Sequence, residues 1–186
     1  MKKFILELYN IVMCNIHKIN TDKKKSVYIG LGTKVVGNVY IDEKSVIGKY
    51  NYLGAYGKNS KFKIGKRVNI GMFSQMACIN EINIEDDVLF GPNVYVADYN
   101  HEFTDISKPI SMQGLRKYSR GVIIKQDSWI GKNTVIIGSV TIGKHCVIGA
   151  NSFVNKDIPD YCVAVGNPCR VVKKYNFVTG LWEKVN

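Results

Sequence analysis

The sequence predicts an all-β protein: a parallel β-helix of about five to six coils, with a short helix before it and one loop extruded from it. Three observations carry that prediction. Aliphatic residues, mostly Ile, recur at every sixth position. Glycine favours the position that follows: of 17 Gly in the chain, against 4 Pro, those at 30, 48, 54, 65, 71, 91, 131, 143 and 149 sit there. The rhythm then breaks for a long stretch once, between His101 and Val122.

Composition narrows the classes before any motif is considered. The chain has 186 residues, enough to bury one sizeable core. Hydrophobic residues make up 46%, which argues against a disordered chain. No run of 18 apolar residues is present, so no spanning helix is expected. The five cysteines (Cys14, Cys78, Cys146, Cys162, Cys169) are odd in number and form no CxxC pair. That pattern fits buried thiols in a reducing cytoplasm rather than disulfides or zinc.

Residues 1–28 form the first segment. Lys2 and Lys3 resemble the start of a signal peptide, but Glu7, Asn10 and Asn15 interrupt the apolar stretch and no cleavage site follows. Helical spacing places Phe4, Ile5, Leu8, Ile11, Val12 and Ile16 near one face. The expected role is a cap over the end of the core. Peripheral membrane association is the alternative, because Lys2, Lys3 and Lys18 flank the stripe and Lys23–Lys25 continue it. His17, in this helix, is expected to be solvated.

Segments 29–58, 64–81, 84–101 and 124–159 divide into 17 hexads, each opening on an apolar residue. The fifth position is mostly Ser, Thr, Val or Cys. A short strand and a turn, repeated three times per coil, build a triangular prism. The first and fifth side chains then point inward, and glycine suits a corner where the backbone bends sharply. Breaks in the frame near 59–63 and 82–83 are expected as small excursions at corners.

The insert 102–121 has no six-residue rhythm, and inserts of this kind often line a binding surface. His101 sits at its root, in ADYNHEF. Imidazole exchanges a proton near neutral pH and suits a general base acting on a hydroxyl or amine. His145, in IGKHCV, should face outward.

Four stretches together resemble the hexapeptide-repeat acyltransferases: the hexads, NHEF, DSWIGKNTVIIGSVTIGKHCVIGANSFVNKDIP and AVGNPCRVVKK. The resemblance covers roughly residues 29–173, leaving 174–186 as a C-terminal tail. It is nearest the galactoside and maltose acetyltransferase-like and capsular polysaccharide O-acetyltransferases. It implies a left-handed prism and a homotrimer, with acetyl-CoA in a groove between neighbours. The implied function is direct acetyl transfer to a sugar hydroxyl of a surface polysaccharide or its precursor.

Carried over by residue, His101 is the base. Glu102 could orient it, and Asp98 is the rival for that task. Trp129 and Gly131 match the family's Trp-Ile-Gly, with Trp129 against the pantetheine arm or the acceptor. Lys132 occupies the slot whose main-chain N–H faces the thioester oxygen, a donor that needs no particular side chain. Gly149 and Ala150 offer a flat edge to pantetheine. Asn155, Lys156, Arg170 and Lys173 map near the phosphates of CoA, where cations suit the charge.

Other readings remain open from sequence. One is N-acetylation of an amino-sugar nucleotide or acetylation of an antibiotic. Another is a non-catalytic scaffold. The zinc-using branch of the prism fold needs three histidines, and only His101 is suitably placed, so no metal is expected. Nucleic-acid binding would rest on the +11 charge alone, with no accompanying motif. No P-loop or GxGxxG is present.

Overall fold

The computed structural model describes residues 2–16, 19–21 and 24–185. His17, Lys18 and Lys23 lie outside them. The chain winds as a triangular prism with a parallel sheet on each side. The first face stacks Tyr28–Ile29, Val46–Ile47, Asn69–Ile70, Leu89–Phe90, Trp129–Ile130, Val147–Ile148 and Cys162–Val165. The second stacks Lys34–Val36, Tyr52–Ala55, Gln75–Cys78, Tyr95–Ala97, Val135–Ile137 and Phe153–Val154. The third stacks Val39–Ile41, Lys61–Ile64, Glu81–Ile84, Val122–Ile124 and Val140–Ile142.

The prism runs to about seven turns, longer than the five to six expected. The added winding lies at the two ends, beyond the hexads counted. Lys61–Ile64 and Glu81–Ile84 are third-face strands, not corner excursions, and the extra residues sit before them, at 56–60 and 79–80. The bridges Asn20–Tyr40 and Ile142–Ile158 and the strand Cys162–Val165 extend the winding beyond the hexads counted.

Register explains the aliphatic rule. Ile29, Ile47, Ile70, Phe90, Ile130, Ile148 and Ala164 stand one above another on the first face. All are buried, in one continuous core with their counterparts on the other faces. Each large aliphatic side chain so buried contributes about 1.5–3 kcal/mol. The fifth-position hydroxyls are buried too, and they tie turns together. Ser45 Oγ donates to the Gly65 carbonyl at 2.7 Å and accepts from the Val68 N–H at 3.1 Å. Ser128 Oγ repeats this with Gly143 and Cys146, at 2.7 and 3.0 Å.

The second-position glycines are needed for a different reason from the one expected. None of them has a positive φ. A Cβ on Gly71 would lie 2.6 Å from the Gly91 carbonyl carbon, and one on Gly91 would lie 2.7 Å from the Lys132 nitrogen. The next turn passes too close for any side chain. The left-handed corner conformation belongs to residues two places later, among them Tyr50 (φ 57°), Phe73 (φ 61°), Asn93 (φ 58°), Asn133 (φ 58°) and Asn151 (φ 59°).

The helix α1, Lys2–Ile16, packs on the first turn, but not through its apolar stripe. Asn10 and Cys14 are buried there, with Tyr9 and Met13 partly so. Phe4, Ile5, Leu8, Val12 and Ile16 are exposed, and Ile11 is half-buried. The physical reason is the end of the sheet itself, which presents a carbonyl. Tyr9 Oη donates to the Ile29 carbonyl at 2.7 Å, and small side chains let the helix approach.

At the other end, Arg170–Asn176 pairs antiparallel with Cys162–Val165, and Leu181–Lys184 pairs back on Arg170–Asn176. The expected boundary at 173/174 therefore falls inside a strand. His145 faces outward and stacks near Trp182, while Tyr161 meets Phe177 edge-on at a centroid distance of 4.9 Å.

Gly71→Ala should cost about 1–3 kcal/mol, because the added carbon presses on main chain. Denaturant unfolding measures this, and a midpoint equal to wild type would refute the close-approach account.

Candidate active site at the root of the extruded ribbon

The strand Tyr95–Ala97 ends at Asp98, which is fully buried. Its carboxylate accepts the N–H groups of Ile79, Asn80 and Glu81 at 2.8, 2.8 and 2.7 Å. Charge-assisted bonds of this kind are the strong ones. Asp98 is therefore committed to the backbone of the previous turn and is not an orienter of His101. It fixes the point at which the chain leaves the prism.

From there Tyr99–His101 runs antiparallel to Leu115–Lys117, with His101 opposite Leu115. The Glu102 N–H donates to the Gly114 carbonyl at 3.1 Å. The return root is tied as well. The Arg120 N–H donates to Ser139 Oγ at 2.9 Å, its guanidinium meets Asp157 at 3.2 Å, and Asn80 Nδ2 donates to the Tyr118 carbonyl at 3.0 Å. Gln113 staples the tip, accepting from the Asp105 N–H and donating to the Asp105 and Lys108 carbonyls. The loop is thus a braced ribbon, and it presents His101 on an exposed edge.

Among the described residues no group of this chain bonds the His101 imidazole. Glu102 turns toward its own loop. One carboxylate oxygen accepts the Phe103 N–H, the Thr104 N–H and the Thr104 hydroxyl at 2.9, 3.2 and 2.9 Å. Those bonds, the Phe103 amide first, hold its carboxyl below the usual range. Burial, with the Asp98 charge nearby, pushes the Cys78 thiol up to about 12, so this thiol is no nucleophile at neutral pH.

Four tyrosines that sequence reasoning passed over surround the ribbon root. Tyr52 and Tyr56 stack at 6.5 Å and share a hydroxyl–hydroxyl bond. Burial, with Tyr95, Asp98 and Tyr52 nearby, pushes the Tyr99 phenol above its ordinary value. Tyr52 and Tyr95 close their hexads at position six, the outward slot of the second face, and that was the available signal.

The remaining expected site residues fall into separate groups. Trp129 stands outward on the first face, 51% exposed, in register with Leu89 and Val147. Gly131–Lys132 and Gly149–Ala150 follow at the next corner, one turn apart, and the Lys132 side chain is exposed. The Lys132 N–H is not taken by a backbone carbonyl among the described residues. Asn155 and Lys156 lie exposed on the corner from which the ribbon leaves, beside Asp157, the partner of Arg120. Arg170 and Lys173 are exposed on the strand beyond the last turn. One chain therefore places His101, Glu102, Asn155 and Lys156 on one edge. Trp129, Gly131, Lys132, Gly149 and Ala150 lie across the second face from them. Among the described residues no three His, Cys, Asp or Glu cluster as a metal site.

Comparison with known proteins shows the class to which this prism and its ribbon belong. The family described as bacterial transferase hexapeptide (six repeats) matches residues 121–156. A putative lipopolysaccharide biosynthesis O-acetyl transferase, WbbJ of Escherichia coli K12, is 32% identical over 80% of this chain and 78% of its own. The galactoside O-acetyltransferase of the same organism is 32% identical over 86% of this chain and 72% of its own. A galactoside acetyltransferase solved in complex with coenzyme A superposes with a TM-score of 0.56, at 32% identity, over 78% of this chain and 66% of its own. The chain belongs to the hexapeptide-repeat acetyltransferase family, and its prism is of the family's left-handed kind.

Asp98→Asn should lower stability by about 2–3 kcal/mol, since an amide replaces one acceptor oxygen by donors facing N–H groups. It should also open the 102–114 tip to limited proteolysis. Wild-type melting and cleavage rates would show that the ribbon is not anchored here.

Proposed function

We propose that the protein transfers an acetyl group from acetyl-CoA to a hydroxyl of a sugar in a surface polysaccharide or its precursor. It works in the cytoplasm, on an acceptor at the inner face of the membrane. The observation that carries this reading is the presentation of His101 by a ribbon anchored through Asp98, in a chain of this family. The named relatives and the coenzyme A complex support the choice of donor and acceptor.

His101 takes the proton of the acceptor hydroxyl as its oxygen bonds to the thioester carbonyl carbon. Negative charge develops on the carbonyl oxygen, where the Lys132 main-chain N–H donates. The carbon–sulfur bond then breaks, and the CoA sulfur takes the proton from the imidazolium. No covalent enzyme intermediate is needed. Trp129, Gly131, Gly149 and Ala150 flank the pantetheine arm. Asn155, Lys156, Arg170 and Lys173 receive the phosphates. Glu102 braces the loop beside the base, and the Tyr52–Tyr56 pair offers ring faces to a sugar.

The separation of these groups across the second face supports a site shared between copies. In a homotrimer, the His101 edge of one prism meets the Trp129 face of its neighbour.

His101→Ala should lower kcat by about 10²–10⁴-fold while leaving the KM for acetyl-CoA within a few-fold, read by thiol release. Full activity in that variant would remove His101 from the mechanism. Mixing inactive His101→Ala with inactive Gly149→Trp, unfolded and refolded together at equal amounts, should restore about a quarter of the sites. A mixture as inactive as its components would place the site within one chain.

A further inference from the structure

We infer that the outer side of α1 is a membrane-binding surface, one that lies along a bilayer carrying anionic headgroups. Four observations point there. The first is the inversion of the helix. At 100° per residue, the stripe of Phe4, Ile5, Leu8, Val12 and Ile16 lies roughly opposite Asn10 and Cys14, the residues that meet the prism. Phe4 is 70% and Ile16 is 64% exposed. No core of this chain accounts for a stripe turned away from it.

The second is continuity. An open groove of about 500 Å³ runs beside the helix, lined by Ile5, Leu6, Tyr9, Tyr28 and Leu31. The apolar surface therefore extends from the helix onto the first turn of the prism. Contiguous exposed apolar patches of this kind mark interaction sites.

The third is the fastening of the helix. Tyr9 Oη holds the Ile29 carbonyl, the Ile19 N–H holds the Cys14 carbonyl at 2.9 Å, and Lys24 Nζ holds Asn15 Oδ1 at 2.7 Å. Its orientation is tied at several points, so the stripe is presented and not merely loose. The helix is 15 residues long, too short to span a bilayer, and suits the interfacial plane.

The fourth is charge, which selects the occupant. Residues 1–25 carry Lys2, Lys3, Lys18, Lys23, Lys24 and Lys25 against Glu7 and Asp22, on a chain of net charge +11. Joining this face to a second copy of itself would gather like charges around a buried stripe. An anionic bilayer neutralises them while the apolar side chains enter the headgroup boundary.

The geometry gives such an anchor a use. His101 follows the fourth strand of the second face, three turns beyond the first. At about 4.8 Å per turn that is about 14 Å along the prism. A prism standing on its helical end would hold the ribbon a short distance above the headgroups, in reach of an acceptor carried there. Only this use rests on the proposed acetyl transfer; bilayer binding itself requires no catalysis.

The test is flotation of the full chain with vesicles of phosphatidylglycerol and phosphatidylcholine, and with phosphatidylcholine alone. Wild type should float with the anionic vesicles, and added salt should weaken this. Leu8→Gln/Val12→Gln, both at exposed positions, should lower the partition coefficient about tenfold or more. Val178→Gln, at a 96% exposed site on the C-terminal hairpin, should leave it unchanged. Three results would overturn the proposal: wild type that ignores anionic vesicles, a double variant that floats like wild type, or a double variant whose only change is a smaller assembly size. The last would mean that a second copy covers the stripe. Thiol release with a soluble acceptor, equal in wild type and double variant, confirms that the variant is folded. Loss of vesicle binding beside intact turnover separates this inference from the catalytic one.

Discussion

The distance between successive turns governs this molecule. Main chain stacks on main chain at the spacing of paired strands, about 4.8 Å. At the corners that leaves no space for a Cβ, so Gly71 and Gly91 face the next turn with bare backbone. It also puts a buried hydroxyl within reach of two turns at once, as Ser45 and Ser128 show. The aliphatic columns then fill a prism whose width is already set. The corners' left-handed residues, several of them Asn, are a local cost that the stacking overrides.

A structure so regular has little room for chemistry inside it, and the proposed function is placed where the winding is interrupted. Asp98 makes the interruption stable by giving its carboxylate to three N–H groups of the turn below. The ribbon leaves from a fixed point, and Arg120 and Asn80 secure its return. The edge that carries His101 and the face that carries Trp129 belong to different sides of one prism. A flat-sided prism brings such sides together only by packing against another prism, which is why assembly and catalysis are joined in the proposed mechanism.

The two ends of the prism solve the problem of open sheet edges differently. The C-terminal hairpin adds antiparallel strands and an aromatic cluster around Tyr161, Tyr175, Phe177 and Trp182. The N-terminal helix covers the first turn with Asn10 and Cys14, and so its apolar side looks outward. The excess of lysine in residues 1–25, unexplained by the repeat, is what the inferred anionic surface would neutralise.

Sequence by itself determined the prism. Period six, inward Ile, small fifth residues and the break at His101 are all local patterns, and stacking in register reproduces them in space. It also singled out His101, since an interruption in a strict repeat is visible without coordinates. It could not determine the work of Asp98, whose bonding depends on backbone 17–19 residues away. Nor could it set the direction of α1, because periodicity shows that a helix has two sides but not which side meets the core. Nor could it show the winding at either end, where Asn20, Ile158 and Cys162–Val165 join the stack outside the hexad frame. Only the tertiary structure decided these points, because each depends on which groups the stacked turns leave without partners.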